Sequence, residues 1–159
     1  MTIEFTVPYP ARKSAWTKRY GLNAYWAGKH HHVRAADARD LEAFVRLCLR
    51  QQGVPVRLFE KPVSISFWHN TRMDGDNHAA IEKMTVDALK GWLLRNDDRR
   101  HYREKHSFFH DENYMRVVIT DEAAMREGLP ETDSGRPHQV CALSGIRGSE
   151  TGGISGERS

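Results

Sequence analysis

The spacing of apolar residues switches from a period of two to one of about 3.6 between residues 63 and 94. A chain that does this must pack helix against sheet. Val63, Ile65 and Phe67 alternate with Ser64 and Ser66, the pattern of a half-buried strand. Ile81, Met84, Ala88, Leu89, Trp92 and Leu93 then form a broad apolar face. They predict a helix from Asn77 to Leu94, capped by Asp76 or Asn77, with Gly91 weakening its last turn. Ile3, Phe5 and Val7 predict a first strand over residues 2–8, closed by Pro8 and Pro10, which lack a ladder donor. Leu41, Phe44, Val45 and Cys48 fall at i, i+3, i+4 and i+7 and predict a helix over 37–52, with Asp37 as N-cap and Gly53 as stop. Met115, Val117 and Ile119 resume strand alternation, so residues 100–120 read as a hairpin with one basic strand and a turn at Asp111-Glu112-Asn113. Residues 9–34, basic, aromatic and interrupted by Gly21 and Gly28, read as irregular. The expected class is α/β (α+β): a small mixed sheet of about four strands packed with two main helices. One domain spans residues 1–128, and the Gly/Ser-rich residues 129–159 read as a disordered tail.

The charge is unevenly distributed. Residues 1–120 hold 20 Lys and Arg against 14 Asp and Glu, whereas residues 121–159 hold 4 against 7. A basic body points to a polyanionic partner. Trp16, Tyr20, Tyr25 and Trp26 interleave with Lys18, Arg19 and Lys29, which suits either a nucleic-acid-binding loop or a cover for a sheet edge. Arg39, Arg46 and Arg50 share one helix face, as phosphate contacts or as a solvated row. Two cysteines, Cys48 and Cys141, make no disulfide framework, and Cys48 sits in an apolar stripe as a core residue. No apolar run approaches membrane-spanning length and residues 1–20 lack a signal-peptide apolar region, so a cytoplasmic location is expected. His30, His31 and His32 read as a solvated turn, since three consecutive side chains do not readily point one way.

The chemistry concentrates in Asp74-Gly75-Asp76-Asn77, Lys83 and Asp97-Asp98. Clustered carboxylate oxygens suit Mg²⁺ or Mn²⁺ better than a thiol-seeking metal. Lys83 and Asp87 follow Asp76 by seven and eleven positions, near one helical azimuth. Asp-x-Asp is common in loops, but the later acidic pair, the lysine and the basic flanks give it weight. An EF-hand starting at Asp74 fails at His78, Ala79 and Thr85, and no Glu-x-Lys tripeptide of the restriction-nuclease kind follows.

Those residues, with Asp87-Ala88-Leu89 and Trp92-Leu93, resemble the signature of the RusA-like Holliday-junction resolvases. The similarity covers about residues 1–122, more weakly through the N-terminal strand, Asn23-Ala24-Tyr25-Trp26 and the helix at 37–52. It implies a homodimeric endonuclease that cuts four-way DNA junctions by paired symmetric nicks with Mg²⁺ or Mn²⁺. Asp74, Asp76 and Asp98 would then be metal ligands and Lys83 the essential lysine. Lys13, Lys18, Arg19, Lys29, Arg72, Arg99 and Arg100 are the expected DNA contacts. Two other readings are a non-catalytic basic DNA-binding protein and a nuclease preferring flaps or replication forks.

Overall fold

The computed structural model describes residues 1–26 and 28–121. The chain runs β1 (Thr2–Pro8), α1 (Lys13–Tyr20), α2 (Leu22–Trp26), α3 (His31–Gln51), β2 (Val63–His69), a 3₁₀ turn (Gly75–His78), α4 (Ala79–Leu89), β3 (Tyr102–Phe109) and β4 (Tyr114–Asp121). The four strands form one mixed sheet in the order β1-β4-β2-β3. β4 pairs antiparallel with both β1 and β2, while β3 runs parallel to β2.

This order replaces the hairpin expected over residues 100–120, because β2 lies between β3 and β4. Burial explains the choice. A central strand needs a continuous apolar face, which β2 has in Val63, Ile65 and Phe67 and β4 in Met115, Val117 and Ile119. β3 (Tyr-Arg-Glu-Lys-His-Ser-Phe-Phe) has none, and every residue after Tyr102 is exposed, so it takes the edge. Four connecting residues can reach about 13 Å, enough to cross two strand spacings of about 4.8 Å each.

Phe5 and Val7 join the inward rows of β2 and β4 and pack with Leu41, Val45 and Leu49 of α3 and Ile81, Met84, Ala88 and Leu89 of α4 in one core. Cys48 is buried there, and burial pushes its thiol up, as befits a core residue. On the opposite sheet face, Arg116 bonds Glu4 at 2.8 Å and stacks on Trp68, whose ring stacks on Phe108.

Three boundaries differ from expectation. Residues 9–34 are largely helical, because Trp16 and Tyr20, at i and i+4, form a buried face against Tyr9 and Phe44. Those two rings are therefore core and offer no face to a base. α3 begins at His31, so Asp37 lies inside the helix; Gly53, at φ 68, does follow the C-cap. α4 ends at Leu89, and neither Asp76 nor Asn77 caps it. Gly91, at φ 76, closes a tight loop through Gly91 N to Leu94 O (2.8 Å) and turns Leu93 and Leu94 into the core. Among the described residues no helix is long and apolar enough to cross a membrane. The expected tail, residues 129–159, lies outside the described residues, as does Cys141.

Candidate functional site

β2 is an interior strand, and the chain leaves its C-terminal end through Asn70-Thr71-Arg72-Met73 to reach Asp74. Asn70 fixes that exit by donating its side-chain amide to the carbonyls of Asp111 (2.7 Å) and Glu112 (2.8 Å). Thr71 Oγ1 accepts from Met73 N at 3.2 Å and pairs with His78 Nε2 at 2.8 Å. Asp74 and Asp76 thus lie exposed at the start of the 3₁₀ turn. Neither carboxylate has an ion pair or side-chain hydrogen bond among the described residues.

The acids at the far end of α4 behave differently. Lys83 Nζ lies 3.0 Å from Asp87 and 3.6 Å from Asp97, and Lys90 Nζ lies 2.6 Å from Asp87 and 3.5 Å from Asp97. Burial alone would raise the Asp87 carboxyl, but hydrogen bonds from Lys90 and Lys83 outweigh it and hold the group below its ordinary value. Asp98 turns into its own loop. Its Oδ1 accepts from His101 Nδ1 and Arg100 N, each at 2.9 Å, and these bonds, His101 first, lower its pKa. Asp97 is therefore the acid of that pair that meets Lys83.

Asp74, Asp76 and Asp98 do not form a ready-made three-carboxylate seat. Among the described residues, the group of three or more His, Cys, Asp or Glu whose ligand atoms lie within 4.8 Å of one another is His30, His31 and His32. The three are exposed, as a solvated segment would be, but they open α3 instead of a turn, with His30 as N-cap accepting from His32 N, and their rings lie 3.8–5.0 Å apart. Three imidazoles suit borderline transition metals and not Mg²⁺. Asp74 and Asp76 present exposed carboxylates without counter-charge, the donor type that a hard divalent ion takes.

A buried polar network under α4 escaped the sequence reading. Glu82 is 1% exposed and holds His69 Nε2 (3.0 Å), Ser107 Oγ (2.5 Å) and Lys105 Nζ (2.6 Å). Desolvation pushes its pKa up, yet the bonds from His69, Lys105 and Ser107 prevail and hold it at about 2. His78 stacks on His69 at 3.9 Å with its Nδ1 unpartnered, and burial first, then His69, lowers its pKa to about 4. Both positions carry a visible signal. His69 continues the inward phase of Val63, Ile65 and Phe67, and Glu82 shares a helical stripe with Val86 and Leu89. Lys83, Asp97, Glu82, Lys105 and Tyr102 together line a cavity of about 430 Å³ between α4 and β3.

The expected DNA contacts divide into two groups. Arg19 bonds Asp37 at 2.6 Å and also pairs with Asp40, while Lys29 bonds Asp37 at 2.9 Å. Burial would raise the Asp37 carboxyl, but these two cations keep it low, so Arg19 and Lys29 brace α1 against α3. Arg46, from the arginine row on α3, donates to the carbonyls of Ala88 (3.0 Å) and Lys90 (3.2 Å), and Arg50 stacks on Trp92. Lys13, Lys18, Arg72, Arg99 and Arg100 form no ion pair among the described residues. No family model and no curated protein matches this chain.

Proposed function

We propose that the protein is a metal-dependent endonuclease that resolves four-way DNA junctions and related branched DNA. One observation carries the reading. Two exposed carboxylates one residue apart, without counter-charge, leave the end of an interior strand, whereas Glu82, Asp87 and Asp97 nearby are neutralised by lysines. Two such charges about 4 Å apart cost on the order of 4 kcal/mol at an effective dielectric near 20, a cost that a cation reverses. In this reading Asp74 and Asp76 hold Mg²⁺ or Mn²⁺, which when bound supplies positive charge against the scissile phosphate. Asp98, the third expected ligand, has its Oδ1 held by His101 and Arg100 N and its Oδ2 bonded by the Asn96 amide.

Lys83 supplies the chain's own charge. Asp87 and Asp97 hold its ammonium at the wall of the α4–β3 cavity, where it can stabilise negative charge building on phosphate oxygens. Paired nicks need two sites related by a two-fold axis, hence a homodimer. The decisive test is Asp76→Asn with a labelled four-way junction: binding persists and Mg²⁺-dependent nicking disappears. Retained nicking removes Asp76 from the ligand set. The separation of Asp98 from Asp74 and Asp76 favours one other reading, a non-catalytic DNA-binding protein, for which wild type would bind junctions and leave them whole at every Mg²⁺ or Mn²⁺ concentration. Flap and fork substrates run beside the junction show which branched form is preferred.

A further inference from the structure

Between the first turn of α1 and the segment leaving β2 lies a cavity of about 450 Å³ lined by Lys13, Ser14, Thr17, Asn70, Thr71 and Arg72. We propose that this cavity seats a phosphodiester of the bound nucleic-acid strand; the proposal rests on the nuclease reading for the identity of that strand. Its lining holds two cations and the Ser14 hydroxyl, beside Thr17, whose hydroxyl donates to Ser14 O, and Asn70 and Thr71, whose side chains are bonded within the fold, with no carboxylate to compete with an anion. The cations are uncommitted. Among the described residues Lys13 and Arg72 form no ion pair, in contrast to Arg19, Lys29, Lys83, Lys90, Lys105 and Arg116, which all bond carboxylates. Lys13 is steadied from behind by the Tyr9 ring, 5.3 Å from its Nζ. The floor is rigid, because Asn70 is tied to the β3–β4 connection and Thr71 to the buried His78. N-cap Arg12 makes no side-chain cap bond, so the first-turn amides of α1 add positive potential on that side.

The lining also selects the part of the nucleic acid. It contains no aromatic ring, so it offers no stacking face to a base and addresses the backbone. Arg72 precedes Asp74 by two residues, which limits their Cα separation to about 7 Å. A strand anchored here passes beside the acidic pair, and the seat becomes a positioning device for the proposed cleavage.

The test measures binding by the full-length protein in EDTA, using fluorescently labelled junction and linear duplex across a salt series. The Lys13→Gln/Arg72→Gln double variant is expected to bind more weakly on both DNAs. Its slope of log affinity against log salt should fall by about 1, the signature of one lost phosphate contact. Lys13→Arg/Arg72→Lys, which keeps both charges, should retain the wild-type slope. An unchanged slope in the neutral double variant overturns the proposal. An equal loss in the charge-preserving variant does so too, since it would trace the effect to damaged folding. Labelled oligonucleotides with and without a 5′-phosphate separate the sources of the anion, and a loss confined to 5′-phosphorylated ends overturns the phosphodiester assignment. If wild type nicks junctions while the double variant keeps its slope, the seat fails and the nuclease reading stands. If the slope falls while wild type never nicks, the seat stands on a binding protein.

Discussion

Glu82 and His78 show what an acid limb of stability should look like in this protein. Glu82 sits at about 2 against an ordinary 4.5, so between those values the folded chain binds fewer protons than the unfolded one. Its stabilisation is complete above pH 4.5 and is lost as pH falls toward 2, amounting to on the order of 3 kcal/mol. His78, at about 4 against 6.5, acts in an earlier window: its neutral form is favoured above pH 6.5, and stability drains as pH falls from there to 4, again by on the order of 3 kcal/mol. Urea denaturation at stepped pH should therefore show His78→Gln flattening the loss between pH 6.5 and 4. Glu82→Gln should be less stable than wild type at pH 7, with the gap closing below pH 4.5; parallel curves would mean neither group titrates as stated. Lys83 is the opposite kind of residue, with its side chain 67% exposed, so its bonds to Asp87 and Asp97 are worth less than about 1 kcal/mol. Lys83→Ala should leave the urea midpoint nearly unmoved and junction binding intact while lowering the nicking rate at least tenfold. A shift in stability without a loss of rate would make the lysine structural. The roles proposed for Asp74, Asp76 and Lys83 rest on residue type, spacing and resemblance. The difference between Asp97 and Asp98 could not be read from these, because it depends on which way two adjacent side chains turn from a loop.

At the scale of elements, the strands β1, β2 and β4 and the body of α3 could be read because each buries one face, and burial of one face writes a period into the sequence. β3 buries almost nothing, so its pairing left no such trace and a local hairpin looked sufficient. α1 escaped for a related reason: its buried face is two rings wide, too short a stripe to register among five charged and polar neighbours. The corner between α1 and α2 makes a prediction of its own. A Cβ on Gly21 would lie 2.6 Å from the Thr17 carbonyl oxygen and 2.8 Å from Met73 Sδ, so this glycine is required by close approach and not by its φ of −62. Gly21→Ala should cost about 1–3 kcal/mol through overpacking. Because Met73 adjoins Asp74, it should also weaken metal-dependent nicking. Calorimetry and the junction assay check the two effects separately, and unchanged stability would mean the corner relaxes without strain.

Across the whole molecule, two exposed aromatic side chains fall together on the sheet edge, while Val33, Leu47, Val56 and Leu58 are exposed on α3 and the connection after it. The edge strand β3 ends in Phe108 and Phe109, which are 45% and 60% exposed. An exposed, unpaired edge of this length invites pairing with another chain unless something covers it. Lys105 and Ser107 of the same strand point inward to Glu82, so the strand is anchored in place rather than frayed. Sequence composition gave no hint of this surface, since the strand that carries it is among the most charged in the chain; only the sheet order exposes it. The proposed nuclease needs two copies, and β3 is the edge at which a two-fold axis would cover those rings and set two α4–β3 cavities symmetrically about it. Sedimentation equilibrium should then return twice the 18.3 kDa chain mass. Phe109→Lys, a change at an exposed site with little cost to the fold, should shift the protein toward monomer and convert paired nicks into single ones on the same junction. A Phe109→Lys protein that remains dimeric would move the axis off β3. A wild type that sediments as a monomer at the concentrations where it nicks would remove the need for an axis altogether.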